Sequence, residues 1–215
     1  MYNKHLMVDP IRTNTSNDSH KEIVNNISKD LKCVDYDYVH SLLDIHSWES
    51  TSKILGYDVR EYDHLILAGR MIIYSLKSKL GSSLSDYVGR MNGRLKPSMR
   101  EYIRNNEKIL QNMYDEIDRD DNKYDWFSAN SIIKTYLSKN GKGGDPIETP
   151  NQMRLRIAIA LYKNKGLNEI RTCLNDMANE YYIPASPTIF NAGMSTGQMS
   201  SCFLLSVEDS LDSIE

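Results

Sequence analysis

The stretch Thr149–Tyr181, TPNQMRLRIAIALYKNKGLNEIRTCLNDMANEY, decides the fold class. Thr149 stands where a helix cap belongs, Pro150 at the first helical position, and Gln152 three residues after the cap. That arrangement satisfies orphan N–H groups at a helix start reciprocally. The spacing then predicts a helix through Met153, Ile157, Ala160 and Leu161, ended by Asn164 and Gly166. A second helix carries Leu167, Ile170, Leu174, Met177 and Tyr181. Two helices joined this closely are expected to pack as an antiparallel pair.

Upstream the same period recurs. Ile23, Ile27 and Leu31 share a face from His20 onward, with Val24 beside them, and Val39, Leu42 and Leu43 mark a short helix over 38–46. Leu65, Ala68, Ile72 and Leu76 form a helical stripe that Met71 widens, and Lys77 and Lys79 suit its C-terminal end. KPSMREYIRNNEKILQNMYDEI reads as one helix with Met99, Ile103, Leu110 and Met113 on its apolar side. DRDDNK, Asp118 to Lys123, reads as a charged loop, followed by Tyr124, Trp126 and Phe127 wedged against the core. Asn130 is placed to cap a further helix through Ile133 and Leu137, and KNGKGGDP reads as a turn or short hairpin. Residues 1–20 are polar and without period, as expected of a mobile tail.

Downstream the period changes at Tyr182. YYIPASPTIFNAG has two prolines, no helical pattern and a closing Gly193. MSSCFLLSV is short and almost continuously apolar, as a buried strand is, and EDSLDSIE resembles a helix start. The expected architecture is mainly α, with one strand after the helices. A lone buried strand cannot satisfy its own backbone, so its neighbours are expected from further chain or another molecule.

Composition narrows the class. The chain has 215 residues, 40% hydrophobic and 26% charged, as in a soluble globular protein. Lysine and arginine number 26 against 29 aspartate and glutamate, for a net charge of −3. That balance argues against a general nucleic-acid binder. No apolar run reaches the length of a membrane span, and the N-terminus lacks a signal-peptide core. Cys33, Cys173 and Cys202 form neither a CxxC pair nor a metal spacing, so a cytosolic chain with reduced thiols is expected. The histidines are scattered, with no pair at the spacing of a metal-binding helix.

Three places could carry chemistry. Cys202 reads either as a small buried hydrophobe or as a redox or nucleophilic thiol at a site mouth, since Ser200 and Ser201 make the strand polar at its entry. Ser186, Pro187 and Thr188 read as an ordinary turn or as hydroxyls directed at a phosphate or ribose. Asp209, Ser210 and Leu211 read as a helix cap, which is also where ribose hydroxyls and phosphates can be received. Cys33 and Cys173 read as structural.

Together, ASPTIFNAG, QMSSCFLLSVEDSLDSI and IDRDDNKYDWF resemble the large, catalytic subunit of class I ribonucleotide reductase, in its eukaryotic and viral branches. The resemblance implies domains. Residues 21–94 would be a degenerate region like an ATP cone, 95–182 the family's N-terminal helical domain, and 183–215 the start of a ten-stranded catalytic α/β barrel completed by another chain. It also implies roles. Cys202 would reduce the ribose 2′ carbon and be oxidised to a disulfide with a later cysteine. Ser186 and Ser201 would lie in the substrate site. Asp209, Ser210 and Leu211 would lie in the allosteric specificity site for a nucleoside triphosphate effector. The radical-forming cysteine, its Asn and Glu partners, the second redox cysteine and the reducing tail have no counterpart here, nor has the nucleotide-binding start of the ATP cone.

The resemblance therefore implies the N-terminal piece of a split ribonucleoside-diphosphate reductase, inactive alone. It would work in the cytoplasm, the host's if the chain is viral. Its implied partners are a complementing C-terminal fragment, a small subunit holding a di-metal radical cofactor, a thioredoxin- or glutaredoxin-type reductant and a ribonucleotide substrate. No cofactor, metal, nucleic acid or membrane would be bound by this chain itself. The competing readings are a non-catalytic nucleotide-binding or regulatory protein derived from the reductase, and an inactive remnant.

Overall fold

The computed structural model describes residues 17–58, 60–118, 123–204 and 206. Among these residues regular structure is helical, with two isolated antiparallel bridges and no strand. They fall into two units, residues 17–79 with 123–134 and residues 80–118 with 135–206.

In the first unit, short polar residues start the helices where the sequence supplies them. Helix α1 spans Asn17–Ile27 and α2 spans Tyr36–Ile45, where the Asp35 carboxylate accepts from the Tyr38 N–H at 3.0 Å. Helix α3, Trp48–Leu55, is capped in the same way by Ser47. Helix α4 runs Tyr62–Leu80, and α8, Trp126–Ser131, follows an Asp125 cap that accepts from Ser128 at 2.8 Å. Val24, Val39, Leu42, Leu43, Leu55, Leu67, Ala68 and Met71 form the core with the rings of Trp48 and Trp126. Burial of Trp48 is made affordable by its indole N–H, which donates to the Met71 carbonyl at 2.9 Å. Arg70 reaches back from α4 to the Ile27 carbonyl at the end of α1 and pairs with Asp30.

Gly69 lies on α4 where the backbone of Tyr124 and Asp125 crosses it, so a β-carbon there would overlap main-chain carbonyl atoms. Helix propensity would favour alanine by about 1 kcal/mol, but a backbone clash costs about 1–3 kcal/mol and cannot be relieved by a rotamer change. Gly69→Ala is expected to lower the thermal midpoint. Gly89, on an exposed helix position with open space around it, is the control. Gly89→Ala is expected to raise the midpoint, and differential scanning fluorimetry of the two variants reads the opposite signs.

In the second unit, α5 spans Leu84–Arg90 after a Ser83 cap, α6 spans Pro97–Asn105 and α7 spans Glu107–Asp118. Residues 132–136, where the chain passes from the first unit into the second, form a π-helical turn. A short hairpin follows, with Lys139 bridged to Pro146 and the Asn140 N–H donating to the Asp145 carbonyl at 2.8 Å. Helix α9, Pro150–Tyr162, begins with the reciprocal cap expected of Thr149 and Gln152, at 3.2 and 3.0 Å. Helix α10, Leu167–Ala178, packs on α9, and α11 is the short helix Ser186–Asn191.

Five expectations are corrected. The run from Pro97 is two helices, because the Asn106 side chain bonds the Tyr102 carbonyl and its backbone leaves the helical region. Asn130 is not a cap: Asp125 is, and Asn130 lies inside α8, donating to the Trp126 carbonyl. Phe127 is exposed, whereas Tyr124 and Trp126 are buried as expected. Residues 186–191 are helical despite Pro187, which occupies a position in the first turn where no N–H is required. The expected strand around Cys202 is absent: residues 201–204 have no regular structure, and Phe203 and Leu204 are exposed. A strand without a neighbour has no ladder to form. The charged loop at 119–122 and the helix start after Val207 lie outside the described residues.

Candidate functional site

The predicted site residues lie on and after α11, so what holds α11 comes first. Arg156, fully buried on α9, donates through Nη1 to the Ala192 carbonyl at 2.7 Å and through Nη2 to the Ile189 carbonyl at 3.0 Å. These are the carbonyls a helix end leaves without partners. The same guanidinium grips Glu148 bidentately, Nε to Oε2 at 3.0 Å and Nη2 to Oε1 at 2.9 Å. Glu148 also accepts from the Ser138 N–H and hydroxyl at 3.0 and 2.8 Å and from the Tyr87 hydroxyl at 3.1 Å. Burial alone would push the Glu148 carboxyl up. The Arg156 charge and the bonds from Arg156 and Ser138 outweigh it, and Glu148 is held below the usual carboxylate value. Burial, with the Glu148 charge beside it, pushes the Tyr87 phenol well up.

Past α11 the chain is fixed by its backbone. Gly193 has φ 76°, and a β-carbon there would fall on the Met99 side chain. Its carbonyl accepts from the Lys96 N–H at 3.0 Å, and the Ser195 N–H donates to the Arg94 carbonyl at 2.6 Å. The chain then turns back along α11. Asn191 Nδ2 donates to the Gln198 carbonyl at 2.7 Å, and the Thr188 hydroxyl reaches the Met199 carbonyl at 3.5 Å. Gly197, φ 123°, leaves the room that the Asn191 side chain needs.

Ser186 is the first residue of α11 and is exposed; Ser201 and Cys202 follow Met199 and are exposed too. The fold brings the segments that carry them side by side through Thr188 and Met199. No hydrogen bond joins the three side chains to one another or to another described residue. Cys202 is therefore an accessible thiol rather than a core hydrophobe. Asp209, Ser210 and Leu211 lie outside the described residues. Cys173 is buried, with Sγ 3.0 Å from the Tyr182 hydroxyl, and burial pushes its thiol up. Cys33 is exposed. Among the described residues no group of three or more His, Cys, Asp or Glu is placed to hold a metal, and no described helix is long and apolar enough to cross a membrane.

The first unit carries a separate cleft of about 400 Å³ that His64, Asp58, Arg60 and Tyr38 help to line. His64 Nε2 accepts from the Asp35 N–H at 3.2 Å, so Nδ1 carries the proton and donates to Asp58 at 3.1 Å. The Arg60 bond, and after it the His64 bond, hold Asp58 well below the usual carboxylate range. This histidine orders the backbone at the cap of α2.

The brace at Arg156 was missed by sequence reasoning. Its signal was present: an arginine inside the apolar run MRLRIAIAL must point outward or be paired. Helix α9 is buried along most of its length, so there Arg156 had to be paired.

Comparison with known proteins places this arrangement. Residues 122–197 match the family described as "Ribonucleotide reductase, all-alpha domain". The ribonucleoside-diphosphate reductase large subunit of African swine fever virus (strain Badajoz 1971 Vero-adapted) is 32% identical over 173 residues, covering 77% of this chain and 22% of that protein. The large subunit of Vaccinia virus (strain Copenhagen) is 35% identical over 164 residues, and that of Danio rerio 32% over 167, each covering 71% of this chain and 20% of the relative. The chain thus spans about a fifth of the length of these curated relatives. The stretch from Tyr124 through the hairpin, α9, α10 and α11 that holds the Arg156 brace lies within the matched segment, and residues 122–197 thus carry the all-alpha domain of ribonucleotide reductase.

Proposed function

We propose that this chain supplies the N-terminal part of a ribonucleoside-diphosphate reductase large subunit and acts in the reduction of ribonucleotides only when joined by a chain carrying the rest of the catalytic barrel. The observation that carries the reading is a braced α11 followed by a segment whose apolar side chains are uncovered. Glu148 and Arg156 fix α11, while Met199, Phe203 and Leu204 beyond it are exposed on a segment without secondary structure. Apolar side chains in irregular backbone gain from burial when neighbouring strands arrive. Residues 21–94 then correspond to a degenerate ATP-cone-like region, 95–182 to the helical domain and 183–215 to the start of the barrel.

In that assembly Cys202 is a redox thiol. With a second thiol from the complementing chain it supplies two electrons and two protons, so that the ribose 2′ hydroxyl leaves as water and the two sulfurs end as a disulfide. Ser186 and Ser201 bind substrate. A radical-bearing small subunit begins the reaction, and a thioredoxin- or glutaredoxin-type protein restores the thiols. Asp209, Ser210 and Leu211 bind the nucleoside triphosphate effector. Asp209→Ala is accordingly expected to abolish effector-dependent base choice while leaving basal turnover within about threefold. Reduction of two competing nucleotides with and without effector checks this.

The test of assembly is co-expression of the tagged chain with a chain encoding the remaining barrel, followed by affinity purification and a dithiol-dependent turnover assay with the small subunit. Co-purification and turnover support the reading. A chain that stays monomeric beside that partner, with no gain of activity, overturns it.

A further inference from the structure

Helix α6 carries Lys96 at its cap position, Arg100 and Arg104, spaced four apart and therefore stacked along one side of the helix. Arg94 precedes the helix, and Lys163 is drawn to its start, where Nζ donates to the Ser98 hydroxyl at 2.9 Å. Arg100 donates to the Asn92 side chain, but its Nε is buried with no partner. None of these five cations pairs with a described carboxylate. Several cations elsewhere find acids: Lys21 takes Asp44, Arg70 takes Asp30 and Arg171 takes Glu116. Acids outnumber bases in the chain, so the unpaired group does not reflect a shortage. The one acid within α6, Glu101, lies about 100° round the helix from Arg100.

We propose that this ridge docks an acidic, extended peptide segment of a partner protein. Lys96 and Arg104 are eight residues apart, a span of about 12 Å, with steps of about 6 Å between successive cations. Alternate side chains of an extended peptide recur at about 6.6 Å on one side, so carboxylates at every second position meet the row in register. Guanidinium forks bind carboxylates bidentately. A longer polyanion such as nucleic acid would extend beyond the ridge over a chain whose net charge is −3, and would be repelled there. A short acidic segment covers the ridge alone.

The test is fluorescence anisotropy with the full chain and a labelled peptide bearing glutamate at alternate positions. A labelled oligothymidylate of equal charge serves as the second probe. The variant Lys96→Glu/Arg104→Glu reverses two exposed ridge charges whose side chains bond no other described residue. Lys29→Glu/Lys53→Glu makes the same charge change in the first unit. Circular dichroism verifies that both remain folded. The peptide is expected to bind the wild-type chain, to weaken by about tenfold or more in the ridge variant, and to stay within about twofold in the control. Equal losses in the two variants, no binding to the wild-type chain, or tighter binding of the oligothymidylate than of the peptide would each overturn the proposal.

Discussion

Replacing Arg156 with methionine is expected to lower the free energy of unfolding by about 3–5 kcal/mol, the range for removing one partner of a buried ion pair. Methionine fills similar volume, so the loss is electrostatic rather than steric. Glu148 would keep its bonds from Ser138 and Tyr87 but lose its counter-charge while fully buried. The Ile189 and Ala192 carbonyls would lose their donors, and α11 its anchor. Glu148→Leu alone leaves the guanidinium unpaired and is expected to cost a similar amount. The double variant Arg156→Met/Glu148→Leu is expected to recover part of the loss, and a double-mutant cycle measures the coupling. The pH dependence separates this from a generic packing defect. In the wild-type chain Glu148 is held below its ordinary 4.5, so its contribution is complete above that value and is lost as the pH falls through the lowered folded value. In Arg156→Met, burial without the cation raises the Glu148 carboxyl instead. The variant's deficit should then shrink as the pH falls from about 7 toward about 5. Urea unfolding followed by circular dichroism at both pH values reads the two slopes. A loss below about 1 kcal/mol, or a deficit that does not change with pH, would remove the brace from the account of this site.

What was legible in the sequence was whatever is written locally. The reciprocal cap at Thr149 and Gln152, the apolar faces at Val39, Leu42 and Leu43 and at Met99 and Ile103, and the hairpin between Lys139 and Pro146 all depend on residues a few positions apart. Where the outcome depended on competition, reading failed. Asn106 chooses its own side-chain bond over a continuous helix, and only its bond to Tyr102 reveals this. Helices α3 and α5 are too short for a period to stand out, and their caps at Ser47 and Ser83 show only in the structure. The apolar run at Phe203 and Leu204 has the composition of a buried strand, but burial belongs to an assembly and not to a string of residues. The candidate site divides in the same way. Ser186, Ser201 and Cys202 are proposed on the resemblance of their segments, and the fold brings only those segments together. Glu148 and Arg156, which fix α11, come together with Tyr87 and Ala192 across long sequence separations that no local pattern encodes.

Cys202→Ser, introduced into the complex with the complementing chain and small subunit, is expected to reduce multiple turnover by about 10⁴-fold or more, as losing an essential reacting group does. Serine is close to cysteine in size, and Cys202 is exposed with no hydrogen bond to another described residue, so neither fold nor assembly should change. What changes is the chemistry available. A thiol can give up a hydrogen and end in a disulfide that an external dithiol reopens; an alcohol cannot. Cys173→Ser is the informative comparison. That thiol is buried against Tyr182 and pushed up by burial, so it is expected to affect stability slightly and turnover little. Mass spectrometry of the alkylated complex adds a readout independent of rate. After a single turnover without reductant, Cys202 should be protected from alkylation as a disulfide while Cys33, exposed and without a role in the reaction, remains reactive. Dithiol-dependent turnover surviving in Cys202→Ser, or free alkylation of Cys202 after turnover, would move the redox chemistry to another sulfur and leave the segment after α11 as a docking element alone.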